Sequence, residues 1–322
     1  MKKSLKIWLI TAVVLVFCGT VLFVLSIALA GGELSRLGAV KYITNTYDAD
    51  AAFNSISINT DTADVVFALS DDNKCTVECF EEETKPHRVS VQDGTLKIAV
   101  EDNSKWYHLF LFNPKKPKLT VSLPKIEYDS LIIKNDTGDV KIPSDFIIAD
   151  VNISLSTGDV KIEAPKAENI KIKVSTGDIN ISGTNCSGDI SLTSSTGDMV
   201  LYGINAAGNI TTSVSTGIIK MTNVECTDLI STGSTGDIRL SSVIACGSFD
   251  IERSTGDVTF NNCDAGQIRV KTNTGDVEGT LKTSKIFFTE TSTGKVSVPK
   301  TTTGGICEIK TTSGGIIIEV IS

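Results

Sequence analysis

From residue 135 onward, apolar and polar residues alternate with a period of two in short runs punctuated by glycine. The segments are NDTGDVKI, STGDVKI, STGDINI, STGDMVL, STGIIKM, STGDIRL, STGDVTF, NTGDVEG and STGKVSV. Apolar residues fall two and four positions after each glycine, as in Val140/Ile142, Ile179/Ile181 and Val258/Phe260. Polar residues such as Lys141, Lys161 and Asn180 lie between them. This alternation predicts a strand with one face buried. The glycines (Gly138, Gly158, Gly177, Gly197, Gly217, Gly236, Gly256, Gly275 and Gly294) recur every 19 or 20 residues. A period held over so many copies predicts a solenoid in which each repeat stacks on the next.

Within one repeat, a small residue sits nine positions after the glycine (Ala167, Cys186, Ala206, Cys226, Ala245, Ala265, Ser284), which predicts a tight inward corner. A second alternating run follows, as in Ile170/Ile172/Val174 and Phe249/Ile251, after a weaker turn at Gly188, Gly208 and Gly247. One coil is therefore expected to hold about 20 residues, two main strands and two turns. The last two glycine steps, to Gly304 and Gly314, are 10 residues long and suggest a bare half-repeat.

The region 53–134 alternates without the period, and Asp93-Gly94 between two such runs is a hairpin signal. It is expected to form irregular β coils or hairpins capping the first edge of the solenoid, since open ends bare unpaired backbone groups. At the N-terminus the pattern changes to an unbroken apolar run, Ile7 to Ala30, preceded by Lys2, Lys3 and Lys6. Twenty-four helical residues reach about 36 Å, more than the roughly 30 Å hydrocarbon core. The organisation expected is a cytoplasmic tail over 1–6, a transmembrane signal-anchor helix over 7–30 and a stalk over 31–52. The capping region 53–134 and the solenoid 135–322 follow. The lysines place the N-terminus in the cytoplasm and the bulk of the chain outside it, in the cell membrane as a single-pass protein. Ala28-Leu29-Ala30 leaves cleavage as an alternative, but the apolar run is longer than a signal peptide needs. The fold class expected is all-β, a parallel β-solenoid with an N-terminal β cap, preceded by one transmembrane helix.

Composition narrows the function. Thirty Lys and Arg against 38 Asp and Glu give a formal charge of −8, with no basic stripe to neutralise phosphates, which excludes nucleic acid as a partner. Two histidines, His87 and His108, leave little for a histidine-based site. Of eight cysteines none forms a C-x-x-C pair, so small buried side chains are the expectation.

The residue after the glycine carries the candidate chemistry. Asp139, Asp159, Asp178, Asp198, Asp237, Asp257 and Asp276 would stack into a column on one turn. Calcium is the functional alternative, but it takes six to eight oxygens and the motif supplies only S-T-G-D. Glycine for the corner and Asp as acceptor for turn amides form the simpler expectation, with no metal and no cofactor. Trp106, Tyr107, Phe110 and Phe112 form an aromatic patch that would pack the cap, lie near the membrane or contact a sugar or lipid. The chain ends in Ile316, Ile317, Ile318, Val320 and Ile321, a candidate edge over 316–321 for self-association. Catalysis finds no support, because the coils vary by only one residue and provide no long loop for a cleft.

With the apolar N-terminal run, DADAAFNSISINTDTADVVF, KIEYDSLIIKNDTGDVKIP and the STGD coils, the chain resembles the bacterial membrane-anchored β-strand-repeat putative adhesin family. The resemblance covers 50–322. It implies a β-solenoid at the cell envelope with no established activity, in a family of which some relatives are associated with envelope stress. The expected function is a non-enzymatic adhesion or interaction surface, or a scaffold, facing an envelope polymer or protein. An envelope-stress accessory or sensor is the alternative, and a polysaccharide-acting β-helix enzyme a remote one.

Overall fold

The computed structural model describes residues 3–29, 41–49, 51–101 and 115–321. Among the described residues twenty-seven strands are hydrogen-bonded into one continuous sheet that coils into a parallel solenoid. Its core is the inward row of each strand, from Ile56 and Ile58 through Ile170, Ile190 and Ile210 to Ile316 and Ile318, all at most 2% exposed. The small residues Ala167, Cys186, Ala206, Cys226, Ala245 and Ala265 are buried as one row.

A coil has three strand segments rather than two. Asn169–Thr176, Ile179–Ser182 and Asn185–Cys186 illustrate the long, short and third sides. The extra bend comes from a residue in the left-handed region six positions after the corner glycine: Gly183, Gly203, Asn223, Ser242 and Asn262, with φ from 53° to 68°. Asn and Gly tolerate that conformation, and their scattered identities hide the bend in the sequence.

Both ends depart from sequential stacking. At the first end, Ser55–Thr62 and Asp64–Leu69 are already a coil, paired in parallel with Glu127–Thr137 and Val140–Ile142. Ala63 takes the corner position there, so DTAD is a degenerate DTGD. Outside it lies a coil of Thr95–Val100 and Lys118–Leu123. Antiparallel strands then close the stack: His87–Gln92 on Thr95–Val100, Cys75–Glu82 on Lys118–Leu123, and Tyr42–Ala49 on Cys75–Glu82. The hairpin at Asp93-Gly94 has both residues at positive φ. The expected stalk 31–52 therefore contains a cap strand at 42–49, where Tyr42 stacks on Phe80 with ring centroids 5.3 Å apart.

At the far end the chain doubles back. Gly305–Ser313 lies between the strand ending at Thr274 and Lys285–Thr293, and Ile316–Val320 lies between Val277–Leu281 and Val296–Ser297. Within the run 316–321 expected as an edge for self-association, Ile316 and Ile317 are thus covered by Val296–Ser297 of the outermost coil, 285–297. Burial explains the order: Cys307, Ile309, Ile316 and Ile318 are at most 2% exposed inside, whereas Val296 outside is 43% exposed. The more apolar coil takes the place that removes more apolar surface from water. The step to Gly304 is not a half-repeat either. Gly305 stacks on the turn at Gly266, and Gly314 joins the main glycine column between Gly275 and Gly294.

One α-helix, Lys3–Leu29, precedes the sheet. Among the described residues no helix is long and apolar enough to cross a membrane.

Candidate interaction surface

The S-T-G-D corner is a backbone brace. The ten stacked glycines Gly138, Gly158, Gly177, Gly197, Gly217, Gly236, Gly256, Gly275, Gly294 and Gly314 have φ between 121° and 158°. A Cβ on Gly158, Gly177, Gly197 or Gly217 would lie 2.0–2.1 Å from the carbonyl oxygen of the preceding coil's glycine. Only glycine lets the coils approach at their stacking distance there. Each aspartate then reaches across one coil: Asp139 Oδ1 accepts from Asp159 N at 2.9 Å, Asp159 from Asp178 at 2.8 Å, and Asp178 from Asp198 at 2.7 Å. Asp198 braces Ile218 N at 2.8 Å, Asp237 braces Asp257 N and Asp257 braces Asp276 N. Asp276 Oδ1 accepts from Gly315 N at 2.7 Å, which extends the column onto the doubled-back coil.

Each of these aspartates turns its Oδ1 to the sheet, Ile218, Lys295 and Gly315 interrupt the column, and among the described residues no three of the carboxylates converge on one point.

A second column, missed in the sequence, runs up the turn before the long side. Asn169 Oδ1 accepts from Asp189 N, Asp189 Oδ1 from Asn209 N at 2.7 Å, and Asp228 Oδ1 from Ser248 N at 2.7 Å. The signal was an Asn or Asp at 169, 189, 209 and 228, one period apart but in a poorer motif.

Between the two columns the long side presents flat outward rows. In register they read Lys171–Ser191–Thr211–Ile230–Asp250–Arg269–Glu308 and Lys173–Thr193–Ser213–Thr232–Glu252–Lys271–Lys310. The first half is hydroxyl-rich. The second is laced by ion pairs, Lys271–Glu252 at 2.9 Å and Lys310–Glu290 at 3.7 Å across strands and Lys310–Glu308 at 2.9 Å along one strand. Behind this face one inward position is anomalous. Arg253 is 2% exposed and extends over Gly233 to donate to Val214 O at 3.4 Å, leaving Nε and one terminal nitrogen unpaired. Desolvation lowers its pKa to about 10.

In the cap, Thr60 Oγ1, His87 and Glu81 form a chain with contacts of 2.8 Å and 2.6 Å, in the order of a nucleophile, base and carboxylate. The adjoining cavity measures about 40 Å³ and Thr60 is 4% exposed, so no substrate reaches the hydroxyl. All eight cysteines are free; Cys75, Cys79, Cys186, Cys226, Cys263 and Cys307 are buried, whereas Cys246 is exposed. Trp106, Tyr107, Phe110 and Phe112 lie outside the described residues.

The class of protein these features define is an all-β parallel solenoid cornered by glycine and braced by aspartate. The chain belongs to the Toastrack DUF4097 family, whose model matches residues 53–215 and 204–321. It is similar in structure to a putative adhesin from Bacteroides fragilis, at 17% identity and a TM-score of 0.41, covering 88% of this chain and 99% of that one. A putative adhesin from Parabacteroides distasonis matches at 14% identity and a TM-score of 0.40, covering 85% and 98%. A putative lipid binding protein from the same species matches at 12% identity and a TM-score of 0.35, covering 88% and 98%. No curated protein matches the chain.

Proposed function

We propose that this protein is a non-enzymatic interaction surface on the outer side of the cytoplasmic membrane, held there by its N-terminal helix. The observation that carries the reading is the long side between the two braced corners. Its flat, hydroxyl-rich rows over 171–232 are an extended contact face rather than a pocket, suited to an elongated envelope polymer or a partner protein. A rigid backbone ladder keeps such a face preorganised, which lowers the entropy lost on binding.

The anchor rests on the sequence of residues 7–30 and on exposure. Val13, Leu15, Val16, Phe17, Leu22 and Val24 are between 59% and 67% exposed, or 68% for Phe17. A soluble chain rarely leaves so much contiguous apolar surface in water, and lipid would cover it. The three lysines ahead of the run favour a cytoplasmic N-terminus.

Both parts are testable in cells. The full chain should stay with membranes through alkaline carbonate washing, and external protease should digest 41–322. Recovery of the whole chain in the medium would contradict the anchor. Photo-crosslinkers at Thr211 and Thr232 should give adducts with an envelope polymer or protein. Crosslinks confined to one neighbouring membrane protein would favour the stress-accessory role, and an absence of adducts would contradict the contact face.

A further inference from the structure

The corner of the cap holds three side chains whose donor atoms converge away from the contact face. Cys79 and Glu81 lie on the same inward row of Cys75–Glu82, and His87 opens the next strand. Cys79 Sγ, a Glu81 carboxylate oxygen and a His87 ring nitrogen all lie within 4.8 Å of one another, and all three residues are buried. Among the described residues Cys79 Sγ makes no hydrogen bond, whereas Cys186 Sγ donates to Glu168 O at 3.0 Å.

The surroundings orient the other two donors. Asn45 Nδ2 donates to Glu81 Oε1 at 2.6 Å, and Glu81 Oε2 accepts from the His87 backbone N–H at 2.7 Å while facing the imidazole. His87 Nε2 faces Thr60 Oγ1 at 2.8 Å, and Nδ1 faces Glu81 Oε2 at 2.6 Å. A ligating histidine ordinarily donates its second N–H to a fixed acceptor, and Thr60 Oγ1 stands in that place for ligation through Nδ1. The cavity of about 40 Å³ beside Glu81, His87 and Thr60 has room for one water.

We propose that Cys79 Sγ, Glu81 Oε2 and His87 Nδ1 bind one zinc-class divalent cation, with a water from the adjoining cavity as fourth ligand. Mixed sulfur, nitrogen and oxygen donors suit zinc or cobalt rather than calcium or magnesium. Binding expels the Cys79 thiol proton to solvent and clears Nδ1 of hydrogen, with the remaining ring hydrogen on Nε2 donated to Thr60. Thiolate and carboxylate then balance the two positive charges, so no net charge is left buried. The ion would tie the two antiparallel cap strands to each other and, through Thr60, to the first coil. This proposal does not rest on the contact-face reading.

The test is cobalt titration of the full chain in detergent after metal stripping. One equivalent should give the visible bands of tetrahedral cobalt and a sulfur-to-cobalt charge-transfer band, both lost on adding zinc. C79S should lose the charge-transfer band, and H87Q should bind at least about tenfold more weakly. Zinc, but not magnesium, should raise the melting temperature. The unaltered protein's spectrum decides the matter even where a variant fails to fold. Octahedral cobalt without a sulfur band, or no stoichiometric binding, overturns the site.

Discussion

The coils between 127 and 281 and the coils at the two ends use the same alternation of apolar and polar residues but are secured differently. In the middle each coil rests on the one before it in sequence, and two side-chain columns relay a carboxylate or amide oxygen to the next coil's N–H. At the ends chain order and spatial order part. Residues 55–69 sit inside the strands Thr95–Val100 and Lys118–Leu123, and 305–320 sit inside 285–297. Each end also holds a buried polar pair: Glu81 with His87 in the cap, and Lys285 Nζ on Asp264 Oδ1 at 2.6 Å at the far end. A repeating middle can be specified by a small motif. A terminus has to stop the sheet, and it does so with antiparallel strands, non-sequential threading and specific polar contacts.

The sharpest way to break this contrast is at the corner glycines. Gly197→Ala should cost about 3–5 kcal/mol in denaturant unfolding, because its Cβ meets a backbone carbonyl and its φ is 141°. Ala63 occupies the same corner at the cap without a positive φ, and Ala63→Gly should cost only about 1 kcal/mol. Equal costs at the two sites would erase the distinction.

Next in size is the pair Gly233 and Arg253. A Cβ at 233 would lie 1.8 Å from an Arg253 terminal nitrogen, so Gly233→Ala should destabilise by about 1–3 kcal/mol. Arg253→Met removes an incompletely paired buried cation and should be neutral or stabilising by up to about 4 kcal/mol. Combining them should relieve only part of the Gly233→Ala cost, because a Cβ at 233 would also lie 2.3 Å from the Val214 carbonyl oxygen. Simple additivity would show that the two positions do not share space.

A smaller effect is expected in the aspartate column. Asp178→Ala leaves Asp198 N–H without its acceptor and should cost about 1–2 kcal/mol, while adding calcium to the metal-stripped protein leaves the melting temperature unchanged if the column is a brace. A large calcium effect abolished by Asp178→Ala would restore calcium there.

Alkaline pH compares middle and ends directly. Burial pushes the thiols of Cys226 in the middle and Cys75 and Cys307 at the ends up to about 12 from 9.0. Between these values the folded chain keeps protons that the unfolded chain has lost. Stability contributed by these groups is therefore intact below pH 9 and declines as pH rises toward 12. Cys226→Ala should make the decline in unfolding free energy over that window shallower. At pH 8 Cys246 should react with a thiol reagent while these three do not. The smallest effect belongs to the surface: Lys271→Ala should change stability by less than about 1 kcal/mol.

The solenoid, its corner glycines and its aspartate column are legible in the sequence because one backbone clash and one orphan amide recur every coil. The third side is not, since Gly, Asn and Ser all satisfy its left-handed bend. DTAD at 61–64 hides as a corner because one Cβ is tolerated where no regular coil precedes it. The order at the far end escapes a linear reading altogether. It depends on which of two coils, 285–297 or 305–320, buries more apolar surface. Cys79, Glu81 and His87 carry no recognisable spacing because a fold-back, not a motif, brings them together.

Amide hydrogen exchange over the last three coils tests the central claim, that spatial order departs from chain order at the ends. The amides of Ile309 and Ile318 should exchange as slowly as those of Leu192 and Met221, and those of 286–297 much faster. Slow exchange across 286–297 with a fast-exchanging 305–320 would put the last coil on the outside and contradict the account.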